Sequence, residues 1–166
     1  MGCDIHSRVQ KFIDGKWKTV EVPLFPSDML DLFTPKSRWN EPSVEPFSWR
    51  SYGMFAFLAD VRNYSYVPPI SSPRGLPDDV TNEEDEYGDH SFSWLSLKEL
   101  LDFDYSQTFE NRRTFRDGSG AADAGPGNGV VMTFREFLGL LFFRDLAIMT
   151  CLGKPEEIRV VFGFDN

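Results

Sequence analysis

Residues 2–10 read GCDIHSRVQ, and along this stretch apolar side chains alternate with polar ones. A period of two predicts a β-strand with one buried face and one polar face. Cys3 falls on the apolar parity, so we expect it to be buried rather than to act as a nucleophile. Asp14-Gly15 follows as a tight turn, which predicts a hairpin whose second strand runs through Val20 and Val22.

A second strong strand pattern covers Ile158–Phe164, and we expect it to lie beside the first strand, with Asp165 and Asn166 near the edge of the domain. Three helices are predicted between these strands. One covers residues 51–61 with Ser51 as a candidate cap, and two begin at the capping boxes SLKE (96–99) and TFRE (133–136). The last helix extends to about Met149 and is apolar almost all round, as in a central core helix.

The order of these elements predicts a single α+β domain over residues 1–166, with a mainly antiparallel sheet and helices packed on one face. Long irregular loops are expected at three places. They are the Pro-rich excursion 23–50, the Pro-rich and then acidic segment 62–90, and the Gly-rich segment 117–129.

The formal net charge of the 166-residue chain is −9, and most of it is local. Residues 78–89 carry seven acids and no base, whereas the rest of the chain has 19 acids and 17 bases. The run is either a solvated loop or a site for a cation or a basic partner. Binding to duplex DNA needs clustered bases and is not expected. The two cysteines lack the spacing of a zinc site, and no apolar run is long enough to span a membrane. These features predict a cytoplasmic protein, and no cofactor is expected.

The chain has two histidines, and His6 shares the polar face of the first strand with Asp4. Three interpretations stay open at this point. The pair bonds to neighbouring loops, or Asp4 orients His6 as a general base in a pocket, or both residues join His90 around a metal ion.

Two further elements have the composition of anion sites. In PRGLP (73–77), Gly75 can adopt positive φ and present backbone N–H groups beside the Arg74 guanidinium, which suits phosphate or carboxylate. Alternatively, Arg74 pairs with the acidic run. In VRNY (61–64), Arg62 either contacts an anion or interacts with the negative end of the helix dipole, and Tyr64 is a candidate to stack on a base. No P-loop, dinucleotide-binding, zinc-protease or nucleophile-elbow motif occurs.

The blocks MGCDIH, YGMFAFLADVRN, PRGLP, DHSFSWLSLKEL and VVFGFDN, in this order, resemble a family of small proteins encoded mainly by bacteriophages and prophages. The matching blocks span the chain but omit residues 23–50 and 117–129. They contain Gly2, Cys3, Asp4, His6, Arg62, Asn63, Arg74, Gly75, Pro77, His90, Ser91, Trp94, Asp165 and Asn166. The resemblance implies an accessory protein that acts in the cytoplasm of the host on its metabolism or defence.

The leading hypothesis is that the chain binds and sequesters a phosphate-bearing nucleotide signal of bacterial immunity, such as a cyclic oligonucleotide or an ADP-ribose derivative. One alternative is a hydrolase of such a signal, with His6 and His90 as acid and base and Asp4 as a further candidate. Another is an inhibitor that docks on a basic host protein through residues 78–89. Whether the protein forms a homo-oligomer is left open. The predicted ligand-binding residues are Asp4, His6, Arg62, Asn63, Tyr64, Arg74, Gly75, His90, Ser91 and Trp94, and no metal ligands are assigned.

Overall fold

The computed structural model describes residues 2–26 and 41–166, and its fold class is α+β with antiparallel pairing, as predicted. The strands are β1 (Asp4–Ile13), β2 (Lys16–Thr19), β3 (His90–Ser96), β4 (Thr108–Phe115), β5 (Gly129–Thr133) and β6 (Ile158–Asp165). The helices are α1 (Tyr52–Ala59), α2 (Leu97–Asp102) and α3 (Phe134–Thr150), with 3₁₀ turns at Glu83–Asp85 and Pro155–Glu157.

The chain divides into two compact units, each built from separated segments. Unit 1 comprises Met1–Arg50, Arg74–Asp102 and Leu140–Asn166. Unit 2 comprises Ser51–Pro73 and Phe103–Gly139.

The sheet of unit 1 has four antiparallel strands in the order β2-β1-β6-β3. The predicted hairpin is confirmed, although β2 ends at Thr19 rather than continuing to Val22. The predicted pairing of the first and last strands is also confirmed, with Asp4 opposite Asp165 and Lys11 opposite Ile158. β3 was not predicted; Phe92 and Trp94 alternate with serines along it, but Ser93 and Leu95 are the fully buried residues.

Alternation along β1 separates the two faces of this sheet. Ile5, Ser7 and Val9 are buried on one face, as is Cys3 just before the strand, which confirms the prediction for the cysteine. β6 is buried from Ile158 to Phe164, as expected for a strand with a neighbour on each side.

Unit 2 is organised around an aromatic cluster. Its helix α1 begins as predicted, since the Ser51 hydroxyl accepts a hydrogen bond from the Met54 N–H at 3.4 Å. Phe57 of α1 lies within 6.0 Å, between ring centroids, of three other rings. These rings belong to Phe103, Tyr105 and Phe134. Edge-on aromatic pairs add about 0.5–1.5 kcal/mol each beyond the burial of their area.

Unit 2 also contains a two-stranded antiparallel sheet of β4 and β5, which the sequence analysis did not predict. The Gly-rich segment 117–129 connects these strands and carries turns and one isolated bridge, between Thr114 and Gly120. The prediction of a surface loop holds for most of it, because the side chains are largely exposed. Ala124 is the buried exception.

Both capping boxes are confirmed. The Glu99 N–H donates to the Ser96 hydroxyl at 3.0 Å, and the Glu99 carboxylate accepts from the Ser96 N–H at 2.9 Å. Thr133 and Glu136 make the same reciprocal bonds at 3.1 Å.

The predicted helix after Thr133 is confirmed as α3 (Phe134–Thr150), but the expectation that it is a central core helix is wrong. Gly139 within α3 has φ 77° and ψ 177°, so the helical geometry is interrupted there. The next residue, Leu140, is 74% exposed. Only glycine adopts this backbone conformation at low cost, and the side chains on either side of it therefore need not follow one helical face.

The remaining loop predictions agree with the described part of the chain. Residues 23–26 and 41–50 form no helix or strand apart from a bridge between Phe25 and Ser43, and residues 27–40 lie outside the described residues. Residues 62–89 contain only the short 3₁₀ turn. Among the described helices, none has both the length and the apolar character needed to cross a membrane.

Candidate functional site

The ten residues predicted to bind ligand are divided between the two units. Seven belong to unit 1, namely Asp4, His6, Arg74, Gly75, His90, Ser91 and Trp94. Three belong to unit 2, namely Arg62, Asn63 and Tyr64. The two groups are therefore described separately.

A cluster of charged side chains lies where β1 begins and β6 ends in unit 1. The His6 Nε2 atom lies 2.8 Å from Asp165 Oδ2, and the Asp4 N–H donates to Asp165 Oδ1 at 3.2 Å. Arg50 Nε and Nη2 donate to the two oxygens of Asp4 at 2.7 and 2.6 Å. We call Asp4, His6, Arg50 and Asp165 the sheet-end cluster. Its side chains are between one-third and just over one-half exposed.

The partners in this cluster differ from those expected. The carboxylate that contacts His6 is that of Asp165, whereas Asp4 pairs with Arg50, whose hydrogen bonds lower the pKa of the Asp4 carboxyl. A side chain at position 2 would collide with the Arg50 guanidinium, since a Cβ on Gly2 would lie 2.5 Å from Nη1. Predicted strand pairing placed Asp165 near this edge, but no pattern in the sequence indicated Arg50.

His6 and His90 leave opposite faces of the sheet. His6 is opposite Gly163 on β6, whereas His90 is opposite the adjacent Phe164, and cross-strand partners share a face. The His90 ring also stacks on the Phe164 ring, with 6.1 Å between centroids. The strand register therefore places the two imidazoles on opposite faces of the sheet, where they do not form an acid and base pair. Within residues 2–26 and 41–166, no three His, Cys, Asp or Glu side chains come together to bind a metal.

A β-bulge follows His90 on β3. The register with β6 shifts between His90 and Ser93, and Ser91 has φ 53°, in the left-handed region that favours glycine. The Ser91 hydroxyl lies 3.0 Å from His90 Nδ1. His90 Nε2 is buried without a hydrogen-bond partner in the described residues, and the closest acid is Asp89, at 3.9 Å.

Arg74 and Gly75 are engaged within unit 1. The Arg74 guanidinium pairs with both oxygens of Glu99 and lies 4.9 Å from the centre of the Trp94 ring. The alternative in which Arg74 pairs with the acidic run (78–89) is therefore wrong, because its partner is Glu99. Gly75 has the predicted positive φ, but its N–H donates to the Phe92 carbonyl at 2.9 Å rather than facing outward. The pairing with Arg74 is the largest cause that lowers the pKa of Glu99 to about 2.

The polar face of the sheet is covered along much of its length by the segment that precedes β3. Asp79 accepts two hydrogen bonds from Arg159 Nη2 at 2.8 and 2.9 Å, and Glu86 pairs with Arg8 at 3.0 Å. Tyr87, the residue after Glu86, is buried, and this burial raises the pKa of its hydroxyl to about 12. Two of the seven acids in residues 78–89 are thus bound internally and do not form part of a free acidic surface.

In unit 2, exposed tyrosines carry arginines on their faces. The Arg113 guanidinium carbon lies 5.1 Å from the centre of the Tyr64 ring, and that of Arg112 lies 4.1 Å from the Tyr66 ring. Tyr64 is 41% exposed and Tyr66 is 52% exposed. Arg62 Nη1 donates to the Tyr64 hydroxyl at 3.2 Å. We call Arg62, Tyr64, Tyr66, Arg112 and Arg113 the arginine–tyrosine surface.

Asn63 has a structural position beneath this surface. Its side-chain amide donates to the Val67 carbonyl at 2.9 Å and to Asp60 at 2.6 Å, and its oxygen accepts from the Val67 N–H at 3.0 Å. These bonds close the turn that carries both tyrosines. The sequence analysis assigned Asn63 to the ligand and did not identify Arg112 and Arg113, because the strand that carries them was not predicted.

Charge is also distributed differently in the two units. Unit 2 has six acids and five bases, and all five bases are arginines, whereas the rest of the chain has 20 acids and 12 bases. Arg112 lies 3.5 Å from Asp123, but Arg113 forms no ion pair with the described residues. An arginine that stacks on a ring without a carboxylate keeps its charge available to an anion.

Comparison with known proteins identifies no relative of this chain. The chain matches no protein family, no curated protein and no solved structure. The resemblance to phage and prophage proteins therefore stays a prediction.

Proposed function

We propose that the protein binds a phosphate-bearing nucleotide at the arginine–tyrosine surface of unit 2. The observation that carries this proposal is the pair of exposed rings, Tyr64 and Tyr66, each with a guanidinium against its face. A nucleotide has a planar base and a charged phosphate. Stacking of a base on an aromatic ring is worth about 1–3 kcal/mol, and a guanidinium fork matches phosphate geometry.

The backbone holds these rings in a fixed arrangement. Arg62 and Tyr66 both have positive φ, at 51° and 59°, which residues other than glycine rarely adopt. The Asn63 bonds to Val67 close this turn, and the Arg112 N–H donates to the Ser65 carbonyl at 3.2 Å, which joins the turn to β4. Strained conformations of this kind persist where the surroundings enforce them, and they concentrate at binding sites. A prearranged surface loses less entropy on binding.

The biological part of the proposal rests on the resemblance to phage proteins. In that context the nucleotide is an immune signal of the host, either a cyclic oligonucleotide or an ADP-ribose derivative, and the protein acts by holding it. Hydrolysis by His6 and His90 together has less support, because the register directs them to opposite faces of the sheet. The acidic-inhibitor alternative also has less support, because Asp79 and Glu86 are paired within the chain.

The test is calorimetric titration of the purified protein with ADP-ribose and with a cyclic dinucleotide. Replacing Arg113 by Ala should weaken binding by about 1.5–3 kcal/mol, the usual value of a charged hydrogen bond, with the fold unchanged by circular dichroism. Tyr64→Ala should weaken it by about 1–3 kcal/mol.

Arg74→Ala is the matched control, because this arginine also lies over an aromatic ring but is already paired with Glu99. It should leave the affinity unchanged. Loss of binding in Arg74→Ala with none in Arg113→Ala would move the site to unit 1. Absence of heat with both nucleotides at millimolar concentration would remove the proposed function.

A further inference from the structure

We propose that Ser91 is a nucleophile activated by His90, and that it attacks carboxylic esters. This inference is independent of the nucleotide site, since all the residues involved belong to unit 1. Three consecutive residues, Asp89, His90 and Ser91, supply an acid, a base and a hydroxyl. These three residues match none of the motifs considered in the sequence analysis, which therefore gave no indication of this role.

The contact between hydroxyl and imidazole is the first observation. Ser91 Oγ lies 3.0 Å from His90 Nδ1, within the reach over which a histidine removes the proton of a serine. The imidazole is held in place by its stacking on Phe164 of β6. In addition, the Asp89 N–H donates to the Phe164 carbonyl at 2.8 Å, which fixes the backbone just before the histidine.

The second ring nitrogen is the second observation. His90 Nε2 is buried and has no hydrogen-bond partner in the described residues, and leaving a buried polar atom unpaired is unfavourable. Asp89 Oδ1, at 3.9 Å, is the acid recorded near this nitrogen, whereas Asp165 lies toward the other face and pairs with His6. A small rotation of the largely exposed Asp89 side chain would bring its carboxylate to Nε2–H. Asp89 is then a positioning residue that stabilises the imidazolium.

Backbone strain at Ser91 is the third observation. With φ 53°, Ser91 is in a conformation that is strained for a residue with a side chain, although glycine would adopt it freely. Because of the bulge, the Ser91 backbone leaves the regular pairing with β6, and its hydroxyl lies against His90. A serine retained at a position that favours glycine is consistent with a role for its hydroxyl.

The reaction proceeds in two balanced steps. Ser91 Oγ bonds to the ester carbonyl carbon while its proton moves to His90 Nδ1 and the carbonyl electron pair moves onto oxygen. The tetrahedral intermediate collapses, the ester C–O bond breaks, and the alcohol leaves with the proton from His90. Water then attacks the acyl carbon while His90 takes its proton. The second tetrahedral intermediate collapses, the C–Oγ bond breaks, the carboxylic acid leaves, and His90 returns the proton to Ser91 Oγ.

The experiment uses the full chain, a fluorophosphonate probe and p-nitrophenyl acetate. Attack by Ser91 on the probe breaks the P–F bond and releases fluoride, which leaves one phosphonyl group on the protein. Peptide mass spectrometry should place that group on Ser91. Ser91→Ala and Ser91→Gly should abolish labelling, and Ser91→Gly should also raise the melting temperature because it relieves the strain.

Ser106→Ala is the matched control, because its hydroxyl contacts a carboxylate, Asp104, at 2.5 Å and no histidine. It should label normally. His90→Gln should slow labelling and release of p-nitrophenol by about 100-fold or more. Asp89→Asn should slow the release of p-nitrophenol and Asp89→Glu should restore it, a rescue by the conservative variant that a purely structural role would not produce.

Labelling at a different residue, or no labelling above the rate in unfolded protein, would overturn the proposal. Labelling of Ser91 at an equal rate in His90→Gln would overturn the assignment of the base. Since the probes contain no nucleotide, these outcomes are independent of those at the arginine–tyrosine surface.

Discussion

In unit 1 each described arginine is paired with a carboxylate, whereas Arg113 of unit 2 lies against the Tyr64 ring and forms no ion pair with the described residues. The unit 1 arginines are Arg8, Arg50, Arg74, Arg144 and Arg159, paired with Glu45 and Glu86, Asp4, Glu99, Asp145 and Asp79, respectively. The same residue type therefore connects segments of the fold in unit 1 and, at Arg113, presents an exposed guanidinium without a carboxylate partner in the described part of unit 2. Net charge alone does not reveal this difference, because the acidic unit has more basic residues than the other.

Burial explains why the unit 1 arginines are committed to the fold. Arg159 is 5% exposed, its Nε donates to Gln10 at 2.8 Å, and its guanidinium carbon lies 4.3 Å from the Trp17 ring centre. A charge in this position requires partners on several sides. Arg113 is exposed and has no such requirement.

The largest effect is expected from Arg159→Ala. It leaves Gln10 Oε1 and the Asp79 carboxylate without the arginine that bonds to them and removes a guanidinium from between Trp17 and Trp94, so the free energy of unfolding should fall by about 2–4 kcal/mol. Urea denaturation measures this change. Arg113→Ala in unit 2 is the control and should change stability by no more than about 0.5 kcal/mol. Equal losses in the two variants would contradict the comparison between the units.

A smaller effect is expected when acid removes the partner of Arg74. The folded protein holds the pKa of Glu99 at about 2, below the value of about 4.3 in an unfolded chain, so this pair stabilises the fold above pH 4.3. The contribution is lost as the pH falls from about 4.3 to about 2. It should amount to no more than about 1 kcal/mol, because Glu99 is partly exposed and solvent screens the pair.

Chemical denaturation at several pH values checks this window. Glu99→Gln keeps a capping side chain but removes the charge, so its stability should depend less on pH between 4.3 and 2 than that of the unchanged protein. An identical pH dependence in both proteins would show that the pair with Arg74 does not act on stability.

The smallest effect is expected from Leu140→Lys. Leu140 is 74% exposed, and leucine and lysine have similar helix propensities, so the free energy of unfolding should change by no more than about 0.5 kcal/mol. Thermal unfolding by circular dichroism is sufficient to measure it. A loss of 2 kcal/mol or more would show that this residue is buried, as the expectation of a central core helix required.

Local patterns in the sequence predicted the elements that are defined by local physics. The hairpin at Asp14-Gly15, the cap at Ser51 and both capping boxes depend on residues within four positions of each other, and all are present. The pairing of β1 with β6 was predicted because both strands have uninterrupted patterns. By contrast, β3 was missed, and its burial does not follow its sequence pattern: Phe92 and Trp94 are the apolar parity, but Ser93 and Leu95 are the buried residues, and the register with β6 shifts between His90 and Ser93.

The partners of the candidate site residues were harder to predict than the residues themselves. Asp4 was paired with His6 because they are neighbours on one strand, but Arg50 and Asp165 approach from segments far along the chain. The break at Gly139 was missed because an apolar sequence continues through it, and only the positive φ interrupts the helix. Long-range contacts of this kind leave no periodic signal in the sequence.

The pairing of β1 with β6 also determines when the sheet of unit 1 can form during synthesis. These strands are the two central ones, yet Asp4 and Asp165 are 161 positions apart. At about 5–20 residues per second, a ribosome needs roughly 8–30 s to add the intervening chain. Until then β1 has only β2 beside it, and an isolated hairpin is marginally stable in water. β1 therefore leaves the ribosome well before β6. During that interval the edge of β1 that will pair with β6 has no partner strand and is open to chaperones and to other nascent chains.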